Sequence, residues 1–248
     1  MATVGVRYSE SFEGYQRLGG SDIWPEYNNH GDVLNQYWAR LYEVFPEFQF
    51  VLYDQDAGEV LAEGHTIPVA WDCTTEGLGP GIDASLEAGF KLRAAGGAPT
   101  ALCALAAEIP SRHQNRRLAS VILTEMANLA RQAGLGWLVA PVRPNWKERY
   151  PLTPVERYVA WTTPDGEPFD PWIRVHTRMG GKITRPIPHS ALITGSVAEW
   201  EAWTDMAFPE SGEYVFPAGL ATVSVDRDAD LGSYWEPNVW IVHAVNRV

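Results

Sequence analysis

From Asp32 onward the apolar positions fall at helical spacing. Val33, Leu34, Tyr37, Trp38, Leu41, Tyr42 and Phe45 recur three or four apart, predicting one helix with Asp32 as N-cap and Pro46 as its stop. Two segments rich in aromatic and β-branched residues, Phe48 to Tyr53 and Val60 to Val69, flank the turn at 54–58 and predict a strand pair. A Gly- and Pro-rich loop at 77–81 leads into a short helix, about Ala84 to Ala95, closed by Gly96-Gly97. Thr100 to Ile109 is almost continuously apolar, the pattern of a strand buried on both faces, and Pro110 stops it. After a polar loop, Leu118, Val121, Ile122, Met126 and Leu129 form one stripe of a helix running to Ala133, which Gly134 ends. Leu135 to Val142 predicts another buried strand. A strand–loop–helix–strand unit of this kind implies a parallel or mixed sheet.

Residues 143–171 are rich in proline and aromatics, with a Thr-Pro helix start at Thr153-Pro154, and are long for a connection; they read as a lid or substrate wall. A helix at Pro171 to Met179 ends at Gly180-Gly181, and a strand follows at Lys182 to Ile187. Ser196-Val197-Ala198-Glu199 is a capping box opening a helix through Trp200 and Trp203. Gly219 to Val225 and Asn238 to Val245 read as a closing hairpin. The first 30 residues are polar, with turn pairs at Gly19-Gly20 and Asn28-Asn29, and read as an arm packing on a single domain of residues 31–248. No repeat or low-complexity segment interrupts that domain.

Composition narrows the class. An apolar fraction of 46% in 248 residues supports a large core. A net charge of −12 argues against generic phosphate-backbone binding. Cys73 and Cys103 have no Cys-x-x-Cys partner, which fits free thiols in a reducing compartment, and no His/Cys/carboxylate run has metal spacing, so no metal site is expected. The N-terminus lacks an apolar h-region and no stretch approaches bilayer length, so the expectation is a cytoplasmic protein with no membrane partner. Gly-x-Ser-x-Gly and P-loop motifs are absent. Cys103, inside an apolar strand, is expected to be buried and inert. His65 and His113 are expected to be structural or surface residues. Most of the eleven tryptophans read as core and lid, with Trp146, Trp161 and Trp172 placed to wall a pocket.

Chemistry concentrates at 100–133. A helix N-terminus offers unpaired N–H groups and a positive dipole end, and Arg112, Arg116 and Arg117 add charge there, together suiting an anion. Gln114-Asn115-Arg116-Arg117-Leu118-Ala119 resembles the Gln/Arg-x-x-Gly-x-Gly/Ala signature of the GNAT (N-acetyltransferase-like) superfamily, with Arg117 where that family has its middle Gly. The succession of elements from residue 31 to 248 is similar too. The resemblance implies an α/β (α+β) fold, a mixed and mostly antiparallel central sheet flanked by helices, with its fourth and fifth strands splayed. It implies coenzyme A or acyl-CoA as donor, the pyrophosphate lying against Ile109 and the backbone of Gln114, Asn115, Arg116, Arg117, Leu118 and Ala119. It implies oxyanion donors among the N–H groups of Leu105 to Glu108, a site role for Asn145, and His176 in the place of the family's Tyr acid, protonating the leaving thiolate.

Glu108, at the end of the buried strand beside the signature, is the candidate general base. The expected activity is therefore N-acyl transfer from a thioester, acyl-CoA or carrier-bound, to an amine of a small metabolite, by direct attack because no activated nucleophile is visible. Arg117 at the Gly position keeps two alternatives open: an aminoacyl-tRNA donor, which the acidic charge disfavours, and a non-catalytic binding module on the same fold. An acidic, Trp-rich chain with a terminal hairpin is also compatible with a homodimer. Acyl group and acceptor are not legible in the sequence.

Overall fold

A computed structural model describes residues 4–10, 17 and 23–245. Gly19-Gly20 lies outside the described residues. Val4–Tyr8, read above as part of an arm, forms strand β1 and pairs antiparallel with β2 (Gln49–Asp54). β3 (Val60–Val69) follows, then α3 (Ile82–Ala94), β4 (Ala101–Glu108), α4 (Leu118–Gln132) and β5 (Trp137–Val142). Between β1 and β2 lie two short helices, α1 (Leu34–Tyr37) and α2 (Leu41–Val44), where one helix was expected. Asp32 is not their cap: its carboxylate accepts from the N–H and hydroxyl of Thr194, at 2.8 and 2.9 Å, and Val33 occupies the cap position. A side chain committed to a distant strand cannot also satisfy a helix N-terminus.

The remaining elements are α5 (Val155–Tyr158), α6 (Pro171–Arg178), β6 (Lys182–Gly195), α7 (Val197–Thr204), β7 (Gly212–Tyr214), β8 (Val223–Asp226) and β9 (Leu231–Ala244). Among the described residues the nine strands join in one sheet, in the order β1-β2-β3-β4-β5-β9-β8-β7, with β6 paired to β9. Only β4–β5 is parallel. β9 is the spine: its C-terminal half runs beside β5, its N-terminal end beside β8, and β6 follows it for almost its whole length. The expected closing hairpin is therefore shifted. β8 pairs with Leu231–Ser233, while Asn238–Ala244 runs against β5 and β6.

α4 shows why the sequence reads as it does. Leu118, Ile122, Leu123, Met126, Leu129 and Ala130 are buried against the sheet, and each large one contributes about 1.5–3 kcal/mol by leaving water. A second cluster, around Tyr27, Trp200, Phe216 and Tyr234, packs α7 on β8 and β9. The capping box forms as expected, Ser196 accepting from the Glu199 N–H and Glu199 from the Ser196 N–H. The stretch expected to be a lid is packed. Asp170 accepts from the backbone N–H of Trp146 and the Tyr158 hydroxyl, and Lys147, 1% exposed, donates to the carbonyls of Tyr150 and Leu220. Trp146 and Trp161 belong to an aromatic cluster with Tyr150, Tyr158 and Phe169. No helix among the described residues is long and apolar enough to cross a membrane.

Candidate active site

β4 and β5 stay paired for only three residues, Ala101, Leu102 and Cys103 opposite Trp137, Leu138 and Val139. Beyond that the two strands continue with no ladder between them. A bulge at the start of the gap, with Thr66 opposite Ala104 but His65 opposite Ala106, leaves Leu105 unpaired and bends β4 locally. Backbone N–H groups alternate in direction along a strand, so those of Ala104–Glu108 not turned to β3 face the gap. The gap opens into a cavity of about 670 Å³ lined by Ala104–Ile109, Ala140–Arg143, the start of α4, and Trp172, Val175 and His176 of α6.

The start of α4 has no side-chain cap. Asn115 and Arg117 both sit in the left-handed region, at φ 64° and 61°. Arg117 thus adopts the backbone that a glycine takes most cheaply, at a cost of about 1 kcal/mol. It is the residue before the helix, and its side chain offers no acceptor to the first N–H groups. The contrast with α6 and α7, capped by Asp170 and Ser196, is direct. Gln114, Asn115, Arg117, Leu118 and Ala119 line the cavity, as does Ile109. Arg116 does not: its guanidinium donates to His113 Nδ1 at 3.2 Å, and His113 Nε2 lies 3.1 Å from Glu59. Arg112 pairs with the same Glu59, at 3.5 Å. Of the three arginines expected to serve an anion, Arg117 alone reaches the cavity wall.

Glu108 lines the cavity and accepts from the Trp24 indole at 3.1 Å. Burial, opposed by that hydrogen bond and reinforced by Glu63, pushes its carboxyl up to about 7. Behind it, Glu63 and His65 come from β3, two residues apart and so on one face, with Glu63 opposite Glu108 in the register. One ligand atom of each of the three lies within 4.8 Å of the others, a set with the chemistry to hold a divalent cation. The Arg17 charge beside the set opposes a cation, and burial, with that charge, holds His65 neutral, down to about 3. The set was not foreseen because it exists only through the β3–β4 register.

His176 is 2% exposed on α6 and lines the cavity. Its Nδ1 is 2.9 Å from His243 Nε2, its Nε2 has no partner among the described residues, and Trp172 packs edge-on with ring centres 4.5 Å apart. Burial and then His243 push its pKa well down, so the ring is neutral. Asn145, just past β5, is exposed at the cavity rim. The cavity wall also carries Glu236, 6% exposed and held at 3.0 Å by Arg143, which also donates to Tyr27 and the Ala218 carbonyl. Of the tryptophans expected at a pocket, Trp172 lines it while Trp146 and Trp161 do not. Cys103 is fully buried, its thiol pushed up to about 12 by burial.

No family model matches the chain. It is 32% identical over 253 residues to the arginine N-acetyltransferase avaD of Aspergillus versicolor, covering 91% of this chain and 87% of that protein. Among solved structures, the loading GNATL domain of CurA from Lyngbya majuscula superimposes with a TM-score of 0.61 at 15% identity, over 98% of both chains. The GNAT-like decarboxylase GphF, in complex with isobutyryl-CoA, superimposes with a TM-score of 0.55 at 18% identity, over 91% of this chain and 90% of that one. These two speak to the fold.

Proposed function

This chain belongs to the GNAT superfamily of N-acyltransferases, and from that premise we propose that it moves an acyl group from acyl-CoA to an amine of arginine or a similarly cationic metabolite. The observation that carries the reading is the gap between β4 and β5, which opens a cavity bounded at one end by an uncapped helix start. A pyrophosphate suits that end: unpaired N–H groups of α4, two left-handed residues that turn the loop, and the Arg117 cation. The thioester then lies in the gap, where N–H groups of Ala104–Glu108 that have no strand opposite can steady an oxyanion.

Two protons must move. An arginine amine arrives as an ammonium ion and must lose one before it attacks. Glu108, held near neutrality, takes that proton and releases it to solvent, directly or through water. Attack gives a tetrahedral intermediate; its collapse breaks the C–S bond and leaves a thiolate. The intermediate must shed one N–H proton and the departing thiolate must gain one, with His176 on the cavity wall as the acid that hands it over, and Asn145 at the rim orients the acceptor. The Glu108 carboxylate on the cavity wall favours a cationic acceptor, as does the 32% identity to an arginine N-acetyltransferase. Incubation with acetyl-CoA and L-arginine, followed by free-thiol release and mass spectrometry, is expected to give stoichiometric CoA and N-acetylarginine. Neither product, with arginine or with a panel of cationic amines, would overturn the reading.

A further inference from the structure

His176 and His243 form a directed hydrogen-bond pair. His243 Nε2 faces His176 Nδ1 at 2.9 Å, with one hydrogen between the two rings. Burial holds the His176 pKa well down, while the Met179 backbone raises the basicity of His243, which makes His243 Nε2 the acceptor of that hydrogen and His176 Nδ1 its donor. A neutral imidazole carries one N–H, so His176 Nε2 is then a lone pair, buried in the cavity wall with no partner among the described residues. A buried polar atom without a partner is costly, and its persistence calls for a use. Gly181 makes the pair possible: a Cβ there would stand 2.6 Å from His243 Cε1 and 2.8 Å from the His176 carbonyl oxygen.

We infer that His243 is a positioning residue that fixes the proton of His176 on Nδ1, so that His176 enters the reaction as a base at Nε2 and acts as an acid only afterwards. This rests on the acyl-transfer reading above. The amine attacks the thioester carbon, and the N–H proton of the resulting cationic intermediate passes to Nε2. The C–S bond then breaks, and the same proton passes from Nε2 to the thiolate, leaving amide, free thiol and the original neutral pair. One imidazole serves both steps, and no second acid is needed. A fixed tautomer is what the outer partner of a catalytic histidine provides in the serine-protease triad.

Nitrogen-15 imidazole spectra of the wild-type protein read the tautomer without any substrate. Expected is His176 protonated on Nδ1 and bare on Nε2; a His176 protonated on Nε2 overturns the proposal. Kinetics supply the second arm. His243→Leu removes the acceptor and is expected to lower kcat about 100-fold with KM for both substrates changed less than about threefold, while His243→Gln, whose amide oxygen can accept from Nδ1, recovers at least tenfold. Equal loss in the two variants, or a loss confined to KM, overturns it. Failure of the acyl-transfer reading looks different: the wild type turns over none of the amines, whatever its His176 spectrum shows.

Discussion

At the level of single residues the site is governed by what burial does to charge. Glu108 is pushed up to about 7 from 4.5, first by burial, so folding favours its protonated form. Its contribution to stability is complete below pH 4.5 and is lost as the pH rises through 7. Glu108→Gln, neutral at every pH, should therefore gain on the wild type across that window, by up to about 3 kcal/mol, as measured by urea midpoints at pH 4.5 and 8. The same substitution removes the proposed base. The wild type should show kcat/KM rising with pH to a plateau above about 7, and the variant should lose that limb together with about 10²-fold or more of the rate. Arg117 tests a backbone effect against a charge effect. Arg117→Gly relieves a left-handed side chain and should stabilise by about 0.5–1 kcal/mol, whereas Arg117→Ala should not. Both remove the cation, so both should weaken acetyl-CoA binding by a similar factor in calorimetry.

At the level of elements, α6 places His176 and Trp172, and Asp170 places α6. Asp170, 2% exposed, accepts from the N–H groups of Trp146, Trp172 and Ile173 and from the Tyr158 hydroxyl. Asp170→Ala strands several buried donors at once and should cost about 3 kcal/mol or more. It should also lower kcat, because the helix start and the wall segment are released together; thermal melts and steady-state kinetics on one preparation check both. Such elements were legible where a local rule suffices: the boundaries of β3, α4 and α6 and the Ser196 capping box follow from apolar runs, glycines and cap residues. Five of the six residues of the signature loop line the cavity. What escaped depends on register. Asp32 bonds Thr194, 162 residues away, and so is not the cap of the predicted helix, which comes instead as α1 and α2. Glu63 and His65 meet Glu108 only across the β3–β4 ladder, and His243 meets His176 only because β9 continues past Gly181. A period-2 pattern says which residues share a face but not which strand lies opposite.

At the level of the whole molecule the charge is uneven in its use. A net charge of −12 repels polyanions, yet the end of the cavity proposed to hold phosphate carries Arg117 and the uncapped start of α4. A small donor held there needs few ionic contacts, so its affinity should depend weakly on salt, whereas a nucleic-acid donor would lose affinity steeply as phosphate contacts are screened. Binding to the folded state alone also raises the melting temperature: at 100 times the dissociation constant the gain is about 2.7 kcal/mol, and a chain of this size gains about 2–4 °C per kcal/mol. Acetyl-CoA at that excess should therefore shift the melt by about 5–10 °C, with little change between 50 and 200 mM salt (about a degree or two). Dephosphorylated pantetheine, lacking the anion that the helix start and Arg117 are proposed to meet, should shift it far less. An equal shift from both would mean that the gap between β4 and β5, rather than the loop before α4, holds the donor, and the role given to Arg117 would fall.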